Sequence, residues 1–192
     1  MRPTHQCPER GSTLIVVILV IAFMLAVGVA ILTVSGTAPK VSGSVRDQEE
    51  AFNTAEAGFE AARFLIEGNF FDGLWTNLPD NCFRTPAGID LPHDANYFQK
   101  KTDSDILALV PIPTANNGVL FKDQPFTKTR TGTDDLSRTY TVFLIDDEAG
   151  SPMADPSDAL LVCIGVIRSG NRILSTSRLE ILIGIQTGGT NP

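Results

Sequence analysis

Side chains able to do chemistry are few and scattered along this chain. Asp146-Asp147-Glu148, followed by Asp155 and Asp158, gathers carboxylate oxygens of the kind Ca2+ takes. The spacing is not that of an EF-hand, and a solvated acidic loop between two strands is the simpler reading. Asp134-Asp135 and Asp103-x-Asp105 are sparser still. Cys82 and Cys163 could form a disulfide in an oxidising compartment, closing a loop worth about 3 to 5 kcal/mol by chain entropy. Alternatively Cys163, inside an apolar run, is a small buried hydrophobe. His93, between Pro92 and Asp94, has no serine or cysteine motif to serve and reads as a surface residue. Neither G-x-S-x-G, Walker A, HExxH nor CxxC occurs, so the chain is expected to be non-enzymatic, with no catalytic residue, resident metal or cofactor.

The elements that hold these residues divide sharply by charge. Of the 192 residues, 15 are Lys or Arg and 22 are Asp or Glu, yet none of these falls between Arg10 and Lys40. The mean hydropathy of +0.08 thus averages an apolar segment with one polar domain. A formal charge of −7 without a basic patch argues against nucleic acid, whose binding needs clustered Lys and Arg to displace counterions. Leu14 to Leu32 holds nineteen residues without a polar side chain, roughly 28 Å of helix against a hydrocarbon core of about 30 Å. A signal peptide has a shorter apolar region and an Ala-x-Ala-like cleavage site after it. Residues 12–34 are therefore expected to span a membrane once. Arg2 and Arg10 precede the span, placing the amino terminus in the cytoplasm and the polar domain across the membrane.

The junction before the span is more specific. Glu9-Arg10-Gly11-Ser12-Thr13-Leu14-Ile15 sets a short polar leader and a glycine directly against the apolar run. This resembles type IV prepilins, whose leader is cut after glycine by a dedicated peptidase. The resemblance implies a leader at 1–11, processing between Gly11 and Ser12, and the prepilin peptidase as processing enzyme. One position departs from the pattern: most type IV pilins carry Glu as the fifth mature residue, and here that residue is Val16. A carboxylate inside a membrane costs about 2.5 to 3.5 kcal/mol and is kept for a purpose, so its absence narrows the choice.

Past the span a helical pattern resumes as Val45, Gln48, Phe52, Ala55, Phe59, Ala62 and Ile66, spaced alternately three and four. This predicts that the helix continues over 35–67 and stops at Gly68-Asn69. A break is expected near 36–43, where Gly36, Pro39 and Gly43 weaken the helix. Within the second half stands Ala51-Phe52-Asn53-Thr54-Ala55-Glu56-Ala57-Gly58. With the leader and without the membrane Glu, this stretch resembles PilX-type minor pilins and, more distantly, K-type minor pseudopilins of type II secretion. The pilin resemblance implies that Phe52, Ala55, Glu56, Ala57, Gly58 and Phe59 pack the helix on a sheet. It also implies a non-catalytic subunit of the type IV pilus, at its tip or in its initiation complex. Its partners would be other pilins and minor pilins through the amino-terminal helix. Its location would be the bacterial inner membrane, with a periplasmic carboxy-terminal domain, and then the pilus. Two further readings are a pseudopilin, which would need a large helical insertion, and a permanently anchored extracytoplasmic binding or adhesion module.

The remainder is expected to be β-rich. Residues 68–133 are crowded with Pro, Gly, Asn and Asp, and predict irregular structure with short strands at Asp105–Val110 and Val119–Phe121. Over 134–192, Arg138–Asp146, Ala159–Arg168 and Arg172–Gln186 read as antiparallel strands, the last alternating with period two. The fold class is then α+β, a long amino-terminal helix laid on a small antiparallel sheet, with Phe52, Phe59 and Ile66 covering one face.

Overall fold

The computed structural model describes residues 12–115, 117–146, 148–149, 151 and 155–185, without the side chains at 12 and 34–41. Gly11 with the rest of the leader, Asp147 and residues 186–192 lie outside the described residues. The chain forms two compact units, Met1–Val45 and Arg46–Pro192. Helix α1 (Ser12–Phe71) supplies the first unit and opens the second.

In the first unit the helical assignment runs through 36–43, where the sequence predicts a break. One missing donor at Pro39 and two glycines weaken a helix, but propagation from long helical flanks is cooperative and leaves no gap in it. The end of α1 also differs from expectation: it lies at Phe71 rather than Glu67. The left-handed position that closes it is filled by Gly73, at φ 69°, and not by Gly68. The amide of Gly73 donates to Phe70 O at 3.1 Å and that of Leu74 to Asn69 O at 2.9 Å, the paired bonds of a Schellman cap.

The second unit is built on a four-stranded antiparallel meander in the order β1 (Val119–Pro125), β2 (Arg138–Ile145), β3 (Asp158–Ser169) and β4 (Arg172–Gly184). A two-residue turn at Gly170-Asn171 joins β3 to β4, with Gly170 at φ 59°, the positive first position that a tight hairpin favours. The fold is α+β, and the sheet is covered on both faces. On one side Ala55, Ala62 and Ile66 of α1 meet Val142, Leu144, Leu161 and Cys163. On the other, Phe83, Phe98, Ile106 and Val110 meet Phe143, Val162, Ile164 and Val166, with Phe83 and Phe143 edge to face at 5.4 Å. That second cover comes from the Pro-rich stretch after α1, and it is why β2 and β3 are buried along nearly their whole length.

Part of the cover is α2 (Asp103–Leu109), at the place where the sequence predicts a strand over Asp105–Val110. The local reason is Thr102. Its hydroxyl oxygen accepts from the Asp105 amide at 3.3 Å, an N-cap that starts a helix ahead of two acidic residues in the first turn.

The face α1 turns to the sheet is rotated from the expected stripe. Ala51, Thr54, Ala55, Gly58, Ala62 and Ile66 are buried, whereas Phe52 is 42 % exposed and Phe59 half-buried. The reason lies in two glycines at the interface. A Cβ on Gly165, in the middle of β3, would strike Ala51 O and come within 2.6 Å of Ala55 N, so the helix backbone rests directly on the strand. A Cβ on Gly58 would come within 3.0 Å of both Tyr140 and Val142 of β2. Phenylalanine cannot fit between surfaces this close, and the aromatic rings are displaced to the flanks.

Replacing Gly165 by Ala should destabilise the second unit by roughly 3 kcal/mol, because the new methyl meets backbone that cannot rotate away. Gly58→Ala should stay within about 1 kcal/mol of neutral, since the gain in helix propensity offsets a shift of two side chains. Unfolding followed through Trp75, the one tryptophan, separates the two outcomes.

Candidate functional site

The surface of α1 dominates the functional geometry. Over Thr13–Thr33 the helix is long and apolar enough to cross a membrane, and none of its side chains is buried. This distinguishes it from the core helix of a soluble domain, whose apolar residues find partners within the fold. Val16 sits in this surface, 55 % exposed, with no ionisable group anywhere in the segment. The one hydroxyl near its end, Thr33, is satisfied inside the helix by Ala30 O at 2.8 Å and Val29 O at 3.1 Å.

Immediately past the boundary between units, α1 is tied to the sheet by polar contacts. The Glu50 carboxylate accepts from Arg46 one turn before it at 3.0 Å and from Arg138 of β2 at 3.0 Å. Arg138 also reaches Asp135 at 3.5 Å. Across the sheet, Gln48 donates to Thr176 O at 3.3 Å and accepts from the Ser175 hydroxyl at 2.9 Å. The bond from Arg138, then that from Arg46, holds the Glu50 carboxyl below its ordinary range. Partly solvated ion pairs of this kind contribute roughly 0.2 to 1 kcal/mol each, so they fix where the helix enters the domain more than how stable it is.

The packing residues expected from sequence fall into two groups. Ala55 and Gly58 lie in the interface and Ala57 and Phe59 at its margin, while Phe52 and Glu56 face outward. Three further residues belong with the first group, Ala51, Thr54 and Gly165. The signal for Gly165 was a glycine inside an apolar strand, which marks close approach of another backbone.

Among the described residues the other candidates do not assemble into a site. Cys82 and Cys163 are not joined in a disulfide; both are buried in the cluster between α1 and the sheet, where the Cys82 thiol donates to Leu78 O at 3.5 Å. Burial pushes the Cys163 thiol up to about 12. Asp146 and Glu148 lie near one another in the loop after β2, where the Glu148 amide donates to Asp146 at 3.2 Å and the Asp155 amide to Glu148 at 3.0 Å. No metal-binding group of His, Cys, Asp or Glu occurs among the described residues. Asp103 is committed to an ion pair with Arg178 of β4, Nε to Oδ1 at 2.7 Å, and accepts from Thr176 at 2.7 Å. A groove of about 550 Å3 beside the end of α1 is lined by Leu65, Asn69, Leu74 and Trp75 and by no ionisable side chain.

With this geometry in place, comparison with known proteins gives one result: the family described as PilX N-terminal matches residues 10–60. The match takes in the junction at Arg10-Gly11, the apolar span and the Ala55-Glu56-Ala57-Gly58 motif. No curated protein and no solved structure matches the chain.

Two measurements probe the junction and the buried thiols. Because the Glu50 carboxyl is held low in the fold, its contribution is present above its unfolded value near 4.3 and lost as pH falls through the folded value. Glu50→Gln should lower Tm at pH 7, and the gap from wild type should narrow as pH falls below the unfolded value of about 4.3. A gap that does not narrow on acidification would contradict the ion-pair assignment. Alkylation of Cys163 in the folded protein at pH 8 should run about a thousandfold slower than after denaturation, matching a thiolate population depressed by burial.

Proposed function

From the PilX N-terminal region at residues 10–60, we propose that the chain is a minor pilin, a non-catalytic subunit that enters a type IV pilus through α1. The observation that carries the reading is the coincidence of that match with an uncharged helix none of whose side chains over Thr13–Thr33 is buried among the described residues. Such a surface is stable only in lipid or against other apolar helices, and a pilin uses both in turn. The prepilin peptidase cuts between Gly11 and Ser12. The processed chain is held in the inner membrane by residues 12–34 with its amino terminus cytoplasmic. On extraction, lateral packing of α1 against the helices of other pilins replaces the lipid contacts. The weak helix over 36–43, with Gly36, Pro39 and Gly43, is where α1 would stretch as it leaves the membrane.

Val16 supports a place at the tip or in the initiation complex. A subunit that lacks the membrane carboxylate gives up the contact that this group makes with the amine of a neighbour, which matters least for a subunit that starts the filament. The pseudopilin reading is less well supported. Between α1 and β1 the described residues hold only the seven-residue α2 and two single turns of 3-10 helix, rather than a helical subdomain.

Amino-terminal sequencing of the membrane-extracted protein should start at Ser12, and this start should disappear when the prepilin peptidase is deleted. A mature terminus elsewhere, or one indifferent to the peptidase, would favour a permanently anchored module. Val16→Glu should alter incorporation or pilus number. No change would remove the support for tip placement.

A further inference from the structure

A meander sends its β1–β2 and β3–β4 connections to one end of the sheet and its β2–β3 connection to the other. In this sheet the two ends differ in charge. The β2–β3 connection carries Asp146, Asp147, Glu148, Asp155 and Asp158 and neither Lys nor Arg. Toward the opposite end the acids fall away: none of the 22 lies between Asp123 and Asp134 or between Asp158 and Glu180. Those two stretches instead hold Lys128, Arg130, Arg168, Arg172 and Arg178, in a chain whose formal charge is −7.

Some of these cations are spent inside the fold. Arg178 is paired with Asp103, and Arg168 reaches Asp123 at 2.9 Å, where β1 breaks register and Asp123 sits at φ 48°. Lys128, Arg130 and Arg172 are exposed and form no ion pair among the described residues. Arg130 stands at the tip of the β1–β2 connection, in a turn closed by the Gly132 amide on Thr129 O at 2.8 Å and the Thr129 amide on Thr133 O at 2.7 Å. Arg172 directly follows the Gly170-Asn171 turn. The same two hairpin ends leave Phe126, Leu136, Ile173 and Leu174 exposed. Of the acids near this end, Glu50 and Asp135 hold Arg138, Asp134 lies back from the tip opposite Lys128, and Asp47 and Glu49 are on α1.

This is also the end at which α1 enters the second unit. Gln48 is bonded to Ser175 and Thr176 there, and Glu50 to Arg138, whereas Ile66 lies with Leu161 and Ile185 toward the other end. From Ser175 back to Gly170 the hairpin extends about 17 Å past the residues that hold Gln48. Twelve residues, 34–45, join this entry to the end of the apolar span at Thr33, about 18 Å of chain as helix and about 40 Å extended. The lengths are comparable, so a tether of this kind lets the hairpin ends reach the surface that α1 leaves.

We infer that the ends of the β1–β2 and β3–β4 hairpins form a lipid-binding surface that takes the anionic headgroups of the membrane in which α1 is anchored. Lys128, Arg130 and Arg172 meet phosphate oxygens, while Phe126, Leu136, Ile173 and Leu174 enter the boundary between headgroups and acyl chains. Each cation near an anionic surface raises its occupancy roughly fivefold. The tether adds to this by holding the hairpins at high local concentration. The acidic β2–β3 connection is repelled by the same headgroups, so the surface orients the second unit as well as holding it. The inference rests on the membrane-anchor reading of α1.

The test places the full chain in lipid nanodiscs, one chain per disc, made of phosphatidylcholine alone or mixed with phosphatidylglycerol, with a gadolinium chelate on a few headgroups. Paramagnetic broadening of the amides at 126–133 and 169–174 should be about fivefold stronger in the anionic discs, fall as salt rises, and stay weak at 155–158. Lys128→Glu, Arg130→Glu and Arg172→Glu together should return it to the level of neutral discs, and Lys128→Arg, Arg130→Lys and Arg172→Lys together should keep it. Equal broadening in the two lipids, undiminished broadening in the Glu variant, or equal broadening at 155–158 would overturn the inference. Shift changes at Arg130 and Arg172 that require two chains per disc, without broadening from lipid, would make the occupant the acidic end of a second copy and overturn the assignment to lipid. A chain that stays with neither kind of disc would overturn the anchor reading and this inference together, whereas retention in both with no difference between them overturns the inference alone.

Discussion

Backbone rests on backbone where α1 crosses β3, and the rest of the second unit is arranged around that contact. With hydrogen alone at Gly165, the Ala51 carbonyl and the Ala55 amide come closer to the strand than any side chain would allow. Small residues must then follow at Ala55, Gly58 and Ala62 along the same face of the helix, and bulkier ones are forced aside. The rotation this imposes turns Phe52 outward and brings Phe59 to the rim beside β4. It also brings Gln48 and Glu50 to opposite sides of the helix entry, where Ser175 and Arg138 meet them.

The second consequence concerns burial. A helix can cover only one face of a sheet, yet β2 and β3 are apolar on both. The irregular segment after α1 solves this by spreading Phe83, Ile89, Phe98 and Ile106 over the far side. Its prolines and glycines forbid long regular elements, and its large side chains still supply a core. The result is a three-layer unit in which the middle strands are fully enclosed and the two edges are left to differ.

Much of this was legible in the residues. The uncharged span, the glycine junction, the Ala55-Glu56-Ala57-Gly58 stretch and the three long strands all follow from local pattern, because each is dictated by periodicity or by the cost of charge in lipid. Less legible were the features set by tertiary contact. The alternation of Phe52 and Phe59 pointed to a stripe that the glycine contact rotates away. The apolar run Asp105–Val110 resembles a strand until Thr102 is recognised as its cap. Continuous apolar residues from Val142 to Ile145 already hinted that β2 is covered twice, but nothing local says which segment does the covering. The Glu50–Arg138 pair spans 88 positions and has no sequence signature at all.

The account rests on α1 exchanging lipid for the helices of other pilins. The most direct measurement is quantitative mass spectrometry of pili sheared from cells, set against the membrane fraction. The account predicts this chain in the sheared filaments, at a small fraction of the major subunit and beginning at Ser12. Recovery of the chain wholly in the membrane, under conditions where filaments are abundant in the sheared material, would contradict it.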